Sequence, residues 1–127
     1  MQTLNTEKDL MHWRANVDED SIAWLRLQTD GKSVNVLTHA VMAELESLIG
    51  QLESSEGLTG VGLLSGKPGG FIYGADINEF ETLKTADHVA DHMRYVQSLF
   101  NRIEALPLPS CVGVEGIAVG GGLEIAL

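Results

Sequence analysis

Two glycine-rich windows mark places where the main chain itself can do chemistry. Of the 14 glycines in 127 residues, seven lie from Gly57 to Gly74 and five from Gly113 to Gly122. Glycine permits positive φ and close approach of a ligand, so N–H groups at a following helix N-terminus can face an anion or a developing oxyanion. Tight turns are the plainer use of the same residues. Glu124, two residues past Gly122, suits the first turn of a helix, where the helix dipole favours a carboxylate. Asp76 and Glu79 carry the Asp-x-x-Glu spacing of a capping box, which would hold nearby N–H groups in place.

Other chemistries fit less well. A dinucleotide fingerprint built on Gly120-Gly121-Gly122 would need a further glycine or alanine where Ile125 stands. A phosphate loop at Gly66-Lys67 would need glycine in place of Val61 and a hydroxyl in place of Pro68. His88 and His92 are one helical turn apart, but the zinc-protease pattern requires glutamate where Val89 stands, so both read as solvated or half-buried side chains and no metal site is expected. Cys111 lies in an apolar run without basic neighbours and reads as a small buried residue, not a nucleophile.

The elements that must position these groups follow from periodicity. Residues 12–17 and 21–28 read as a hairpin around Asp18-Glu19-Asp20, with the acidic run as a solvated turn and Trp13 packed across from Trp24. Thr38 caps a helix whose face is Met42, Leu45, Leu48, Ile49 and Leu52, ending near residues 54–57. Residues 61–65 form a buried strand. A second helix over 85–106 buries Val89, Met93, Val96, Leu99, Phe100, Ile103 and Leu106, and Pro107-Leu108-Pro109 stops it. A second buried strand spans 111–114, and residues 122–127 look like the first turns of a further helix without a stop signal, as in a truncated chain. Strand, strand, helix, strand, helix, strand is the alternation of an α/β domain with crossover connections.

Composition narrows the partners. Eighteen acidic against eight basic residues give a net charge of −10, which repels nucleic acid and anionic membrane surfaces. Residues 116–127 are too short and glycine-rich to span a membrane, and the N-terminus lacks a secretory pattern. One cysteine cannot form an internal disulfide, which suits a cytoplasmic protein.

The run Phe71-Ile72-Tyr73-Gly74-Ala75-Asp76-Ile77-Asn78-Glu79-Phe80, followed by Val114-Glu115-Gly116-Ile117-Ala118-Val119-Gly120-Gly121-Gly122-Leu123-Glu124, resembles the two signature loops of the crotonase (enoyl-CoA hydratase/isomerase) superfamily. Ser65-Gly66-Lys67-Pro68-Gly69-Gly70 ahead of the first loop is more similar to the α subunits of fatty-acid oxidation multienzymes than to stand-alone hydratases. The resemblance implies a crotonase (ClpP-like) ββα superhelix, of which residues 1–127 would be the N-terminal portion only. It implies that Ala75 and Gly121 donate their backbone N–H groups to a thioester oxyanion, with Gly74, Asp76, Gly120 and Gly122 around the substrate. Glu124 matches the first of two catalytic carboxylates, the second lying some twenty residues further on in the family. The expected substrate is a trans-2-enoyl coenzyme A thioester, with no cofactor for the hydration step and NAD only in a downstream dehydrogenase domain. Association into an oligomer, with a thiolase β subunit as partner, is also implied. A polyanionic CoA does not suit a −10 surface, so its cations would come from Lys67, from the rest of the domain or from a neighbouring subunit.

Overall fold

The hairpin forms because period-two alternation and turn chemistry agree. The structure, a computed structural model, describes residues 10–29, 35–67 and 86–113 together with Ile125. Strand β1 (Trp13–Val17) pairs antiparallel with β2 (Ile22–Leu27), Trp13 facing Leu27 and Val17 facing Ala23. Trp13, Ala15, Ala23, Leu25 and Leu27 are buried, while Arg14, Asn16 and Arg26 are exposed on the other face.

That alternation overturns the expected tryptophan pair. Trp24 is the register partner of Asn16 and Trp13 that of Leu27, so the two indoles lie on opposite faces of the sheet. Trp13 is fully buried against the helix that follows, its Nε1 donating to the Val41 carbonyl at 3.0 Å.

The acidic turn is also more than a solvated loop. Asp18 Oδ1 accepts from the backbone N–H groups of Asp20 and Ile22 at 2.9 and 3.0 Å, and its Oδ2 accepts from Trp24 Nε1 at 2.8 Å. Ser21 takes φ 64, an uncommon conformation for a residue with a Cβ. It is held there by donation from its N–H to the Asp18 carbonyl and by acceptance from the Thr59 N–H at its own carbonyl.

Helix α1 (His39–Ser54) begins where Thr38 Oγ1 accepts from the Val41 N–H at 3.1 Å. The expected face is buried, with Val41 added to Met42, Leu45, Leu48, Ile49 and Leu52. Each such side chain contributes about 1.5–3 kcal/mol on full burial. The helix stops at Ser55, and Gly57 turns the chain with φ 83 into strand β3 (Gly60–Ser65), which pairs parallel to β2. Helix α2 (Ala86–Glu104) lies within two residues of the expected span, with Val96, Leu99 and Leu106 buried and Met93, Phe100 and Ile103 partly so. The side chain of Val89 falls outside the description. Strand β4 (Ser110–Val112) pairs parallel to β3, giving the described strands the order β1-β2-β3-β4.

Both helices cover the same sheet face. They run side by side with polar contacts along the seam, where Arg102 donates Nε to Glu53 at 3.2 Å and lies 3.8 Å from Glu46. Burial, and then the charge of Glu46, push the Tyr95 phenol above its ordinary pKa.

Cys111 departs from expectation. It is exposed, as is Ser110, and Val112 is half-buried. The reason is position: β4 is the outermost of the described strands, so its apolar composition does not by itself bring coverage on both faces.

On the face away from the helices, large side chains lie over glycines of the neighbouring strand. The Trp24 ring lies over Gly62, the Gln28 side chain over Gly66 and Leu64 over Gly113. A Cβ on Gly62 would overlap the Trp24 ring carbons, and overpacking of this kind costs about 1–3 kcal/mol. Gly62→Ala is therefore expected to lower stability by that amount in urea unfolding. Adding Trp24→Ala should cost less than the two single changes summed, and strict additivity would show that the ring and the glycine do not meet.

The indole and backbone N–H donors hold the Asp18 carboxyl below its ordinary pKa, with the Trp24 indole the largest cause, outweighing the opposing effect of burial. A depressed carboxylate stabilises the fold fully above its unfolded pKa and loses that contribution as pH falls through the folded value. The melting temperature should thus fall on acidification between about pH 5 and pH 2. Asp18→Asn should flatten that limb, an effect absent if the carboxylate is merely solvated.

Candidate functional site at the carboxyl edge of the parallel strands

Three parallel strands, β2, β3 and β4, end at Leu27, Ser65 and Val112 on one edge of the sheet. Open α/β sheets bind ligands at this edge because loops and helix N-termini converge there. Each glycine-rich connection leaves from it with its first residue pinned: the Gly66 N–H donates to the Leu27 carbonyl and the Gly113 N–H to the Leu63 carbonyl, both at 2.9 Å. β3 and β4 are neighbours about 4.8 Å apart, so the two connections start from adjacent strands, Gly66 two residues further along its strand than the level of Gly113.

A buried polar network fixes the first of these starting points. Asn35, 1% exposed, accepts at Oδ1 from the Thr29 N–H at 3.0 Å and donates Nδ2 to Ser65 Oγ at 2.8 Å. Thr29 Oγ1 donates to the Val36 carbonyl at 3.0 Å and accepts from the Val36 N–H at 3.2 Å. Ser65 Oγ in turn accepts from the Lys67 N–H at 3.0 Å, and Gln28 Nε2 donates to the Gly66 carbonyl at 3.3 Å. The end of β2, the approach to α1 and the start of the first glycine loop are thereby one hydrogen-bonded unit. Among the described residues no buried side-chain polar atom lacks a partner. Sequence reasoning passed over Asn35, Thr29 and Ser65; the available signal was a polar residue between Val34 and Val36 immediately before a capped helix.

Gly74, Ala75, Asp76, Glu79, Gly120, Gly121, Gly122 and Glu124 lie outside the described residues. His88 is exposed and His92 half-buried, as expected. The His92 ring lies 6.2 Å from that of His39, and His39 lies 5.8 Å from Tyr95. Among the described residues no group of three histidine, cysteine or acidic side chains is placed to hold a metal ion. Nor is any helix among them long and apolar enough to cross a membrane.

A cavity of about 510 Å³ opens on the helix-covered face between α2 and strands β3 and β4. Val61, Leu63, Val112, Phe100, Ile103 and Ile125 give it apolar walls, and Glu104 is the carboxylate among its described lining residues.

The sheet order and the crossover helices describe a ββα domain with two glycine connections leaving one edge of its parallel strands. The model of the enoyl-CoA hydratase/isomerase family matches residues 18–127, and the chain belongs to that family. The fatty acid oxidation complex subunit alpha of Idiomarina loihiensis is 39% identical over 111 residues, covering 87% of this chain and 16% of that protein. Its counterpart in Vibrio vulnificus is 38% identical over the same shares. The chain thus spans about one sixth of the length of these relatives. Among solved structures, an enoyl-CoA hydratase from Mycobacterium smegmatis superimposes with a TM-score of 0.83 at 23% identity, covering 91% of this chain and 44% of that one. An enoyl-CoA hydratase/carnithine racemase from Magnetospirillum magneticum gives 0.82 at 25% identity, covering 92% and 43%. The fold is that of the crotonase superhelix.

Removing the Asn35 carboxamide would leave the Thr29 N–H and the Ser65 hydroxyl without their partner, at about 1–3 kcal/mol for each buried group. Asn35→Ala is expected to lose about 2–4 kcal/mol in denaturant unfolding, and to speed amide exchange at Thr29 and Lys67 more than at Leu45. Uniform loss of protection across the chain would argue against a local role at this edge.

Proposed function

We propose that this chain supplies the oxyanion donors and one catalytic carboxylate of an enoyl-CoA hydratase, within the hydratase domain of a longer fatty-acid oxidation α subunit. The observation that carries the reading is the shared edge: adjacent parallel strands deliver both glycine connections from neighbouring, hydrogen-bonded starting points. Loops that begin together can aim two N–H groups at one oxygen.

In this reading the thioester carbonyl of a trans-2-enoyl-CoA accepts from the N–H groups of Ala75 and Gly121. Gly74, Gly120 and Gly122 keep side chains out of the approach, and capping by Asp76 would hold the Ala75 N–H in place. Glu124 and a second carboxylate, supplied by the part of the domain beyond this segment, orient a water. One takes its proton as the oxygen adds to C3, and the other protonates C2 as the enolate collapses to 3-hydroxyacyl-CoA. Two fixed donors on the enolate oxygen lower the barrier because they strengthen as charge develops, each worth about 3–4 kcal/mol in comparable oxyanion holes. The hydration step needs no cofactor; NAD belongs to a dehydrogenase domain further along the α subunit, and a thiolase β subunit is the expected partner in a cytoplasmic complex. The family also includes isomerases, and the same donors would stabilise the dienolate of a double-bond shift. A non-catalytic acyl-CoA-binding or assembly module would keep the donors without the chemistry.

The test compares two proteins for hydration of crotonyl-CoA. The 127-residue chain should show negligible turnover. A polypeptide carrying it together with the rest of a relative's hydratase domain should be active, and Glu124→Gln should lower its kcat by about 10²–10⁴-fold. Turnover by the 127 residues that disappears in Glu124→Gln would overturn the two-carboxylate scheme. A shifted double bond as the product would assign an isomerase, and thioester binding without chemistry would assign the binding module.

A further inference from the structure

The sheet face turned away from the helices holds a charge arrangement that the hydratase reading leaves unused. Arg14 and Arg26 are register partners across β1 and β2, and both are exposed. Directly opposed side chains of an antiparallel pair have Cβ atoms about 4.5–5.5 Å apart, and like charges placed there repel. The chain has 18 acidic residues, yet neither guanidinium meets a carboxylate among the described residues. Arg14 Nη1 donates to the carbonyls of Leu10 and Trp13 at 3.2 and 3.0 Å. The other two described arginines are neutralised, Arg94 by Asp91 and Arg102 by Glu53 and Glu46. Asp18, the acid bonded to Trp24 on this face, is engaged by the indole and the turn.

The geometry points to Arg14 and Arg26 as an anion site for a phosphate or diphosphate group, gripped by two guanidinium forks. Each fork presents parallel N–H donors to a pair of phosphate oxygens, and the bound anion cancels the repulsion that the pair otherwise imposes. Place supports the assignment. Arg26 is one residue from the end of β2, and its register neighbours run through Leu64 of β3 to Gly113. The row therefore lies at the carboxyl edge from which both glycine connections leave. A ligand anchored there by its phosphates can extend its other end toward those loops, and a net charge of −10 then need not exclude a polyanion. The site rests on the arginine pair; its assignment to the phosphates of coenzyme A rests on the hydratase reading.

Pyrophosphate is the probe, titrated calorimetrically into the 127-residue chain at low ionic strength. Saturable one-to-one binding is expected, weakened at least about tenfold by Arg14→Gln or Arg26→Gln, as loss of charged hydrogen bonds requires. Arg94→Gln, on a helix of the opposite face, should change it less than about twofold. Without ligand, Arg26→Gln should raise the melting temperature at low salt, because it removes the repulsion, and the gain should fade at high salt. No saturation at millimolar pyrophosphate, or equal weakening by all three substitutions, overturns the proposal. Displacement of pyrophosphate by coenzyme A but not by pantetheine identifies the nucleotide end as the ligand. Pyrophosphate binding that coenzyme A does not displace identifies a free-phosphate site and leaves the hydratase reading to its own test.

Discussion

The buried carboxamide of Asn35 ties the chain just beyond β2 and the approach to α1 to the end of β3, 30 residues further along. Its oxygen receives the Thr29 N–H just beyond β2, and its nitrogen donates to Ser65 at the end of β3. A polar group in this position is costly unless every donor and acceptor finds a partner, and here each partner sits where a strand gives way to a connection. The amide thereby fixes where β2 stops, where α1 is approached and where the first glycine connection begins. Everything proposed for the main-chain donors depends on those points staying put, since a donor displaced by an ångström loses much of its effect on a developing charge.

From that fixed edge the two faces of the sheet diverge. One is covered by α1 and α2 and closed by aliphatic side chains. The other carries, among the described residues, Trp24, Gln28 and Leu64 laid over glycines and the exposed Arg14 and Arg26. The Asp18 carboxylate holds the Trp24 indole in that arrangement. Acidic surplus elsewhere is partly absorbed along the helix seam, where Arg102 takes two carboxylates. Charge is therefore not spread evenly, and the two guanidiniums that meet no carboxylate among the described residues are brought together by strand register, which a net charge does not report.

Much of this architecture was legible in the sequence because it rests on local regularities. The three-and-four spacing from Met42 to Leu52, the Thr38 cap and the short apolar run before Ser65 each follow from one segment's own residues. The bonds of Asn35 were not legible, because its partners lie 6 and 30 residues away and only the folded chain makes them neighbours. The tryptophans failed for a related reason. Both belong to the hairpin, but which face each takes depends on a register that a one-residue slip would reverse. Cys111 failed because its apolar surroundings in sequence say nothing about its strand being outermost among those described.

The sequence by itself determined the α/β alternation, the burial pattern of α1, the two glycine windows and, through the motifs around Gly74 and Gly121, the family. Those are properties of composition and short spacing, which the physics of single helices and strands translates directly. Only the tertiary structure decided that β2, β3 and β4 run parallel with their ends on one edge, that Asn35 locks that edge, and that Arg14 faces Arg26. These depend on pairing between distant segments, where the free energy comes from contacts that no local stretch of the chain contains.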